Sequence, residues 1–172
     1  MSARCEIRGA ALPTLERMSE PSYRIVPLAP ELASSVRETR RDAAGRPILE
    51  RHDGERHQCR ACLELSAADE TMLLLSHTPF SSQQPYAETG PVFIHARACA
   101  PAAAPLLWPR EFPRRDVVLR AYSAADEIVD AELVRDEPVE GVAARLLGAP
   151  RVAYLHARNG GYGCYMFRIE KS

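Results

Sequence analysis

Lysine is almost missing from this chain: of its 22 basic residues, only Lys171 is not an arginine. An excess of either charge is missing too, since 23 acidic residues leave a formal net charge of −1. That balance argues against a generally basic nucleic-acid binder. No apolar stretch approaches the roughly 18 residues of a membrane helix. The opening residues carry Arg4, Glu6, Arg8, Glu16 and Arg17, which interrupt the apolar core of about 7–15 residues that a signal peptide needs. Five cysteines is an odd count for a disulfide framework. Reduced thiols in the cytoplasm are therefore expected. Arginine's planar fork suits phosphate and carboxylate, but a composition biased toward Arg, Ala and Pro explains the same preference. No partner follows from it.

What is present is enough for a core. A chain of 172 residues, 46% of them apolar, falls within the range of about 100–200 residues for one domain. Roughly 70% of the unfolded surface can be buried at this size, so folding does not require a metal or a disulfide. Residues 1–20 show no sustained periodicity, and Met18 reads as a natural start. They are expected to form a flexible extension before a single α+β domain over 21–172.

Strands are expected at 23–28, 72–75, 92–96, 117–122, 128–134, 152–157 and 164–169. Residues 59–65 alternate Cys59, Ala61, Leu63 and Leu65 on one parity, and suggest a hairpin with 72–75. Short helices are expected at 30–41, with Pro30 in the first turn, and at 138–147. The second has the stripe Val139, Val142, Ala143, Leu146, with Pro138 at its start and Gly148 at its end. Residues 51–58 are polar and read as solvated, while Pro79, Pro85 and Pro91 mark 78–91 as an irregular loop. Trp108 is expected to pin a proline-rich connection to the body. The glycine-rich stretch Asn159 to Gly163 reads as a hairpin turn, because phosphate cradles of that composition open a helix and this one opens a strand. The fold class is α+β, a mainly antiparallel sheet of about seven strands with two short helices.

The chemistry gathers between Cys59 and Cys99. Cys59-x-x-Cys62 with His95-x-x-x-Cys99 has the pair spacings of a structural zinc site. Thiolates and an imidazole suit zinc, and such a site contributes on the order of 10 kcal/mol to folding. A regular strand over 59–65 would point Cys59 and Cys62 to opposite faces. The site therefore requires a tight knuckle, and the glycine that usually follows one is absent. Buried unpaired thiols are the plainer alternative. A thiol nucleophile is another, with Cys164 facing His156 across the glycine turn, or Cys59 near His57. Neither pair has an acid placed by sequence to orient its histidine.

Several short motifs occur in order. They are Cys59-Arg60 with an acidic turn and Met72 to Leu75, then Pro85-Tyr86 and Gly90-Pro91-Val-Phe-Ile. Leu119-Arg120-Ala121-Tyr122, Ala153-Tyr154-Leu155-His156 and Gly163-Cys164-Tyr165 follow. From about Tyr23 to Glu170 the chain thus resembles the bacterial domain-of-unknown-function family 1203. The resemblance implies a small single-domain bacterial protein with no established activity, cofactor or catalytic residue. It also implies that the second cysteine and His95 mark a subgroup. Two function classes stay open: a non-enzymatic binding or accessory module with a candidate zinc ion on Cys59, Cys62, His95 and Cys99, and a thiol-dependent enzyme or redox protein using Cys59 or Cys164.

Overall fold

The computed structural model describes residues 23–102 and 107–172. The expected N-terminal extension lies outside them. In chain order the elements are β1 (Tyr23–Val26), α1 (Pro30–Thr39), β2 (Leu49–Arg51), β3 (Met72–His77), β4 (Gly90–His95) and β5 (Val117–Tyr122). There follow β6 (Ile128–Val134), α2 (Val139–Gly148), β7 (Tyr154–Asn159) and β8 (Tyr165–Lys171). The class is α+β. The described residues contain eight strands rather than about seven, in two antiparallel sheets rather than one: β1-β8-β7-β5-β6 and β2-β3-β4.

Alternation and turn chemistry build the larger sheet. β5 and β6 form the expected hairpin, closed by Ser123, whose Oγ accepts from Ala125 N–H at 3.2 Å and Glu127 N–H at 3.3 Å. β7 and β8 form the other, where Asn159 Oδ1 accepts from the amides of Gly161 (2.9 Å) and Tyr162 (3.0 Å). Gly160 is irreplaceable in this turn because a Cβ there would lie 2.2 Å from the Asp116 carbonyl oxygen. One sheet face carries Leu119, Leu155, Phe167 and Ile169 beneath α2. The helix buries Val139, Val142, Ala143, Leu146 and Leu147 there, and each large side chain stabilises by about 1.5–3 kcal/mol relative to exposure. Trp108 lies against Phe167 with ring centroids 4.9 Å apart, and its Nε1–H donates to Pro113 O at 3.0 Å.

A second core joins α1 to the smaller sheet. Ala33 and Val36 of α1 pack with Met72, Leu73, Leu75, Val92 and Ile94. The helix ends where Arg40 adopts a left-handed φ of 55° and donates its N–H to Val36 O at 3.0 Å.

The expected strand at 59–65 and its hairpin with 72–75 do not form. β3 pairs instead with β4 and with β2, and β2 escaped the pattern reading because all three of its residues are exposed. Residues 59–63 are all buried, so their apparent alternation does not separate two faces.

Candidate metal centre

The backbone at Cys59 folds into a knuckle. Leu63 N–H donates to Cys59 O at 3.0 Å, and Cys59 N–H donates to Glu64 O at 2.8 Å. Leu63 holds a φ of 60°, the left-handed position that glycine usually fills after such a knuckle. Its buried side chain joins the core under α2, which offsets the backbone strain. Arg60, also buried, fixes the knuckle to the larger sheet: its Nε–H donates to Tyr165 O at 2.8 Å and Nη1 to Gln58 O at 2.6 Å. Burial lowers its pKa to about 10, which leaves it charged at neutral pH.

This turn brings three cysteines together. The Sγ atoms of Cys59, Cys62 and Cys99 all lie within 4.8 Å of one another, and Cys59 and Cys99 are 4.0 Å apart. Sulfurs on a tetrahedral zinc stand about 3.8 Å apart, as Zn–S bonds of about 2.3 Å require. Ala102 N–H donates to Ala61 O at 3.3 Å, which holds the segment after Cys99 against the knuckle.

His95 is the fourth expected ligand. It lies outside the mutually close trio but beside Cys59, at the end of β4, whose Phe93 O accepts from Arg60 N–H at 2.9 Å. Glu70 Oε1 stands 2.8 Å from His95 Nδ1 and 3.1 Å from Arg97 Nε. From α1, Arg37 donates through Nε to His95 O at 3.0 Å and through Nη2 to Cys99 Sγ at 3.3 Å. Sequence spacing did not single out Glu70 or Arg37. Both come from other segments, and only the folded chain places Glu70 at His95 and Arg37 at Cys99.

The thiols share protons unequally. The bond from Cys62, then His95, holds the Cys59 thiol well below its ordinary value against the opposing effect of burial. Cys62, hydrogen-bonded to that thiolate, is pushed up in turn. The same thiolate holds His95 above the usual imidazole value. A thiolate beside a cluster of further donors is the state a soft divalent cation replaces protons in.

The thiol-enzyme pairs fare differently. Both ring nitrogens of His156 lack a hydrogen-bond partner among the described residues, so no bond joins it to Cys164. His57 stacks on Phe93 at 4.1 Å and turns Nε2 to Asp53 Oδ1 at 3.1 Å. Cys59 itself is fully buried.

An α+β protein with a three-cysteine cluster at its smaller sheet is the class that fold and site define. The profile of the family described as "protein of unknown function (DUF1203)" matches residues 56–171, and the chain belongs to that family. The match spans the knuckle, Cys99 and the larger sheet from β5 to β8. No curated protein and no solved structure matches the chain.

Proposed function

We propose that the chain is a non-enzymatic binding module whose centre is held by one zinc ion on Cys59, Cys62, Cys99 and His95. The observation that carries the reading is the convergence of three thiols, within 4.8 Å of one another, on a turn that keeps Leu63 in a left-handed conformation. The surroundings support it. With Nδ1 standing 2.8 Å from Glu70 Oε1, Nε2 of His95 is the nitrogen left for a metal. Three thiolates and one Zn²⁺ leave a single negative charge, and the Arg37 guanidinium on Cys99 balances it. Four protein ligands close the coordination sphere, which suits a structural ion rather than a catalytic one. The burial of Cys59 counts against its use as a nucleophile on an external substrate.

Elemental analysis of the purified chain tests the reading. Zinc near one per chain in the wild type and near zero in Cys62→Ser supports it. A metal-free, fully folded wild type refutes it. Stability alone does not decide, because burying a serine hydroxyl in place of an interior thiol itself costs about 1–3 kcal/mol.

A further inference from the structure

The face of the larger sheet turned away from α2 is polar where a core would be apolar. Arg120, His156 and Arg168 stand side by side on β5, β7 and β8, with Tyr122 and Tyr154 paired on the neighbouring rung. His156 is fully buried, yet both its ring nitrogens lack a hydrogen-bond partner among the described residues. The same holds for the Tyr122 hydroxyl and for Nε of Arg158, a residue only 4% exposed. Each such buried group left unpaired costs about 1–3 kcal/mol. A fold does not gather several on one face for stability.

The segment 78–89 covers this face. Phe80 sets its ring edge on Tyr122 (5.3 Å) and His156 (5.0 Å). Ser82 donates to Asp126 Oδ2 at 2.6 Å, while Tyr154 donates to Oδ1 at 2.6 Å. At the end of the segment, one oxygen of Glu88 lies 2.6 Å from Arg120 Nη1 and 2.5 Å from Arg158 Nη2. A cavity of about 210 Å³ opens there, lined by Glu88 and Arg158 together with His77, Tyr162, Cys164 and Tyr165. Glu88 is 40% exposed in its side chain, whereas Arg158 is almost wholly enclosed. The carboxylate is thus the partner open to solvent and the guanidinium the enclosed one.

We infer that Arg120 and Arg158 form a binding site for the carboxylate or phosphate group of a small molecule, and that Glu88 occupies it as an internal stand-in. The ligand's oxyanion takes the Glu88 position between the two guanidiniums, where planar forks match its oxygens. Burial, with Arg158 and Arg168 nearby, lowers the His156 pKa to about 3, so at neutral pH the ring adds no competing charge. The rest of the ligand lies in the cavity toward His77 and Tyr165. The site names a ligand class for the binding module and rests on that reading, but not on the zinc.

The test is calorimetric titration of the full chain with inorganic phosphate and, separately, with benzoate, at ionic strength matched with chloride. Wild type is compared with Glu88→Ala, and zinc is measured on the same samples. Removing the internal carboxylate should tighten binding of one probe at least tenfold, at one site per chain. Adding Arg158→Gln should abolish the gain. Arg120→Gln, at a partly exposed position, replaces that variant if it does not fold. The probe that gains identifies the ligand as a phosphate or a carboxylate. Equal affinity in wild type and Glu88→Ala, or no saturable binding in either, overturns the inference. A zinc-loaded chain without anion binding sinks this site alone, and an anion-binding chain without zinc sinks only the metal.

Discussion

Beneath α2 the larger sheet presents Leu119, Leu155, Phe167 and Ile169, whereas the core around α1 admits Cys59 and Cys62, with Cys99 packed at its edge. The first core is complete in hydrocarbon and aromatic rings. The second places a thiolate-bearing knuckle among Met72, Leu73 and Ile94. A charge in such surroundings is stabilising only when it is neutralised or coordinated. If the proposed zinc is bound, it supports the smaller sheet, whereas the larger sheet packs beneath α2 on hydrocarbon and rings.

The largest effect that would break or sharpen this contrast is removal of the proposed zinc. A chelator should strip an ion whose binding contributes on the order of 10 kcal/mol. Amide exchange should then open β3 and β4 while β5 and β7 stay protected. Simultaneous loss of protection in both sheets would show that the two cores do not differ in this way.

Next in size is Phe167→Ala. Phe167 is fully buried and contacts both Trp108 and Phe112, so the change should cost about 3–5 kcal/mol in urea unfolding. Zinc content should not change. A loss below about 1 kcal/mol would mean that this core is not what holds the sheet.

Acid should act through the polar face. Unfolded, His156 takes up a proton near its ordinary value of 6.5, but when folded only near 3, because burial first and then Arg158 and Arg168 disfavour the cation. Between those values the unfolded chain binds more protons, so this contribution to stability is full above about 6.5 and is lost as the pH falls toward 3. The slope from one such group is at most about 1.4 kcal/mol per pH unit. His156→Phe should flatten the stability profile in that window, as measured by denaturant midpoints. An unchanged slope would mean that the ring does not resist protonation.

The smallest expected effect is that of Glu70→Gln, which weakens the orienting contact on His95 Nδ1 without removing a ligand. Zinc affinity should fall about 10–100-fold in a competition titration with a coloured chelator. An unchanged affinity would place His95 outside the coordination sphere.

Much of the larger sheet was legible because its signals are local. Hairpins 117–134 and 154–171 follow from alternation on either side of turn residues, and α2 follows from a stripe at helical spacing followed by a glycine. The knuckle was misread as a strand because its alternating letters are the same whether the backbone runs straight or turns. What decides between those is Leu63, whose left-handed φ is held by side-chain packing and not by the glycine that would have announced it. β2 carried no signal at all, since Leu49, Glu50 and Arg51 are exposed and owe their strand to the edge of β3.

By itself the sequence determined the α+β class, both hairpins of the larger sheet and the two helices. These depend on neighbours within a few positions, where periodicity and turn chemistry act directly. Only the tertiary structure decided that Cys99 meets Cys59, that Glu70 backs His95, and that Arg120 and Arg158 share one oxygen of Glu88. Those meetings join residues far apart in the chain, and sheet register with the burial of two separate cores places them, which no local pattern encodes.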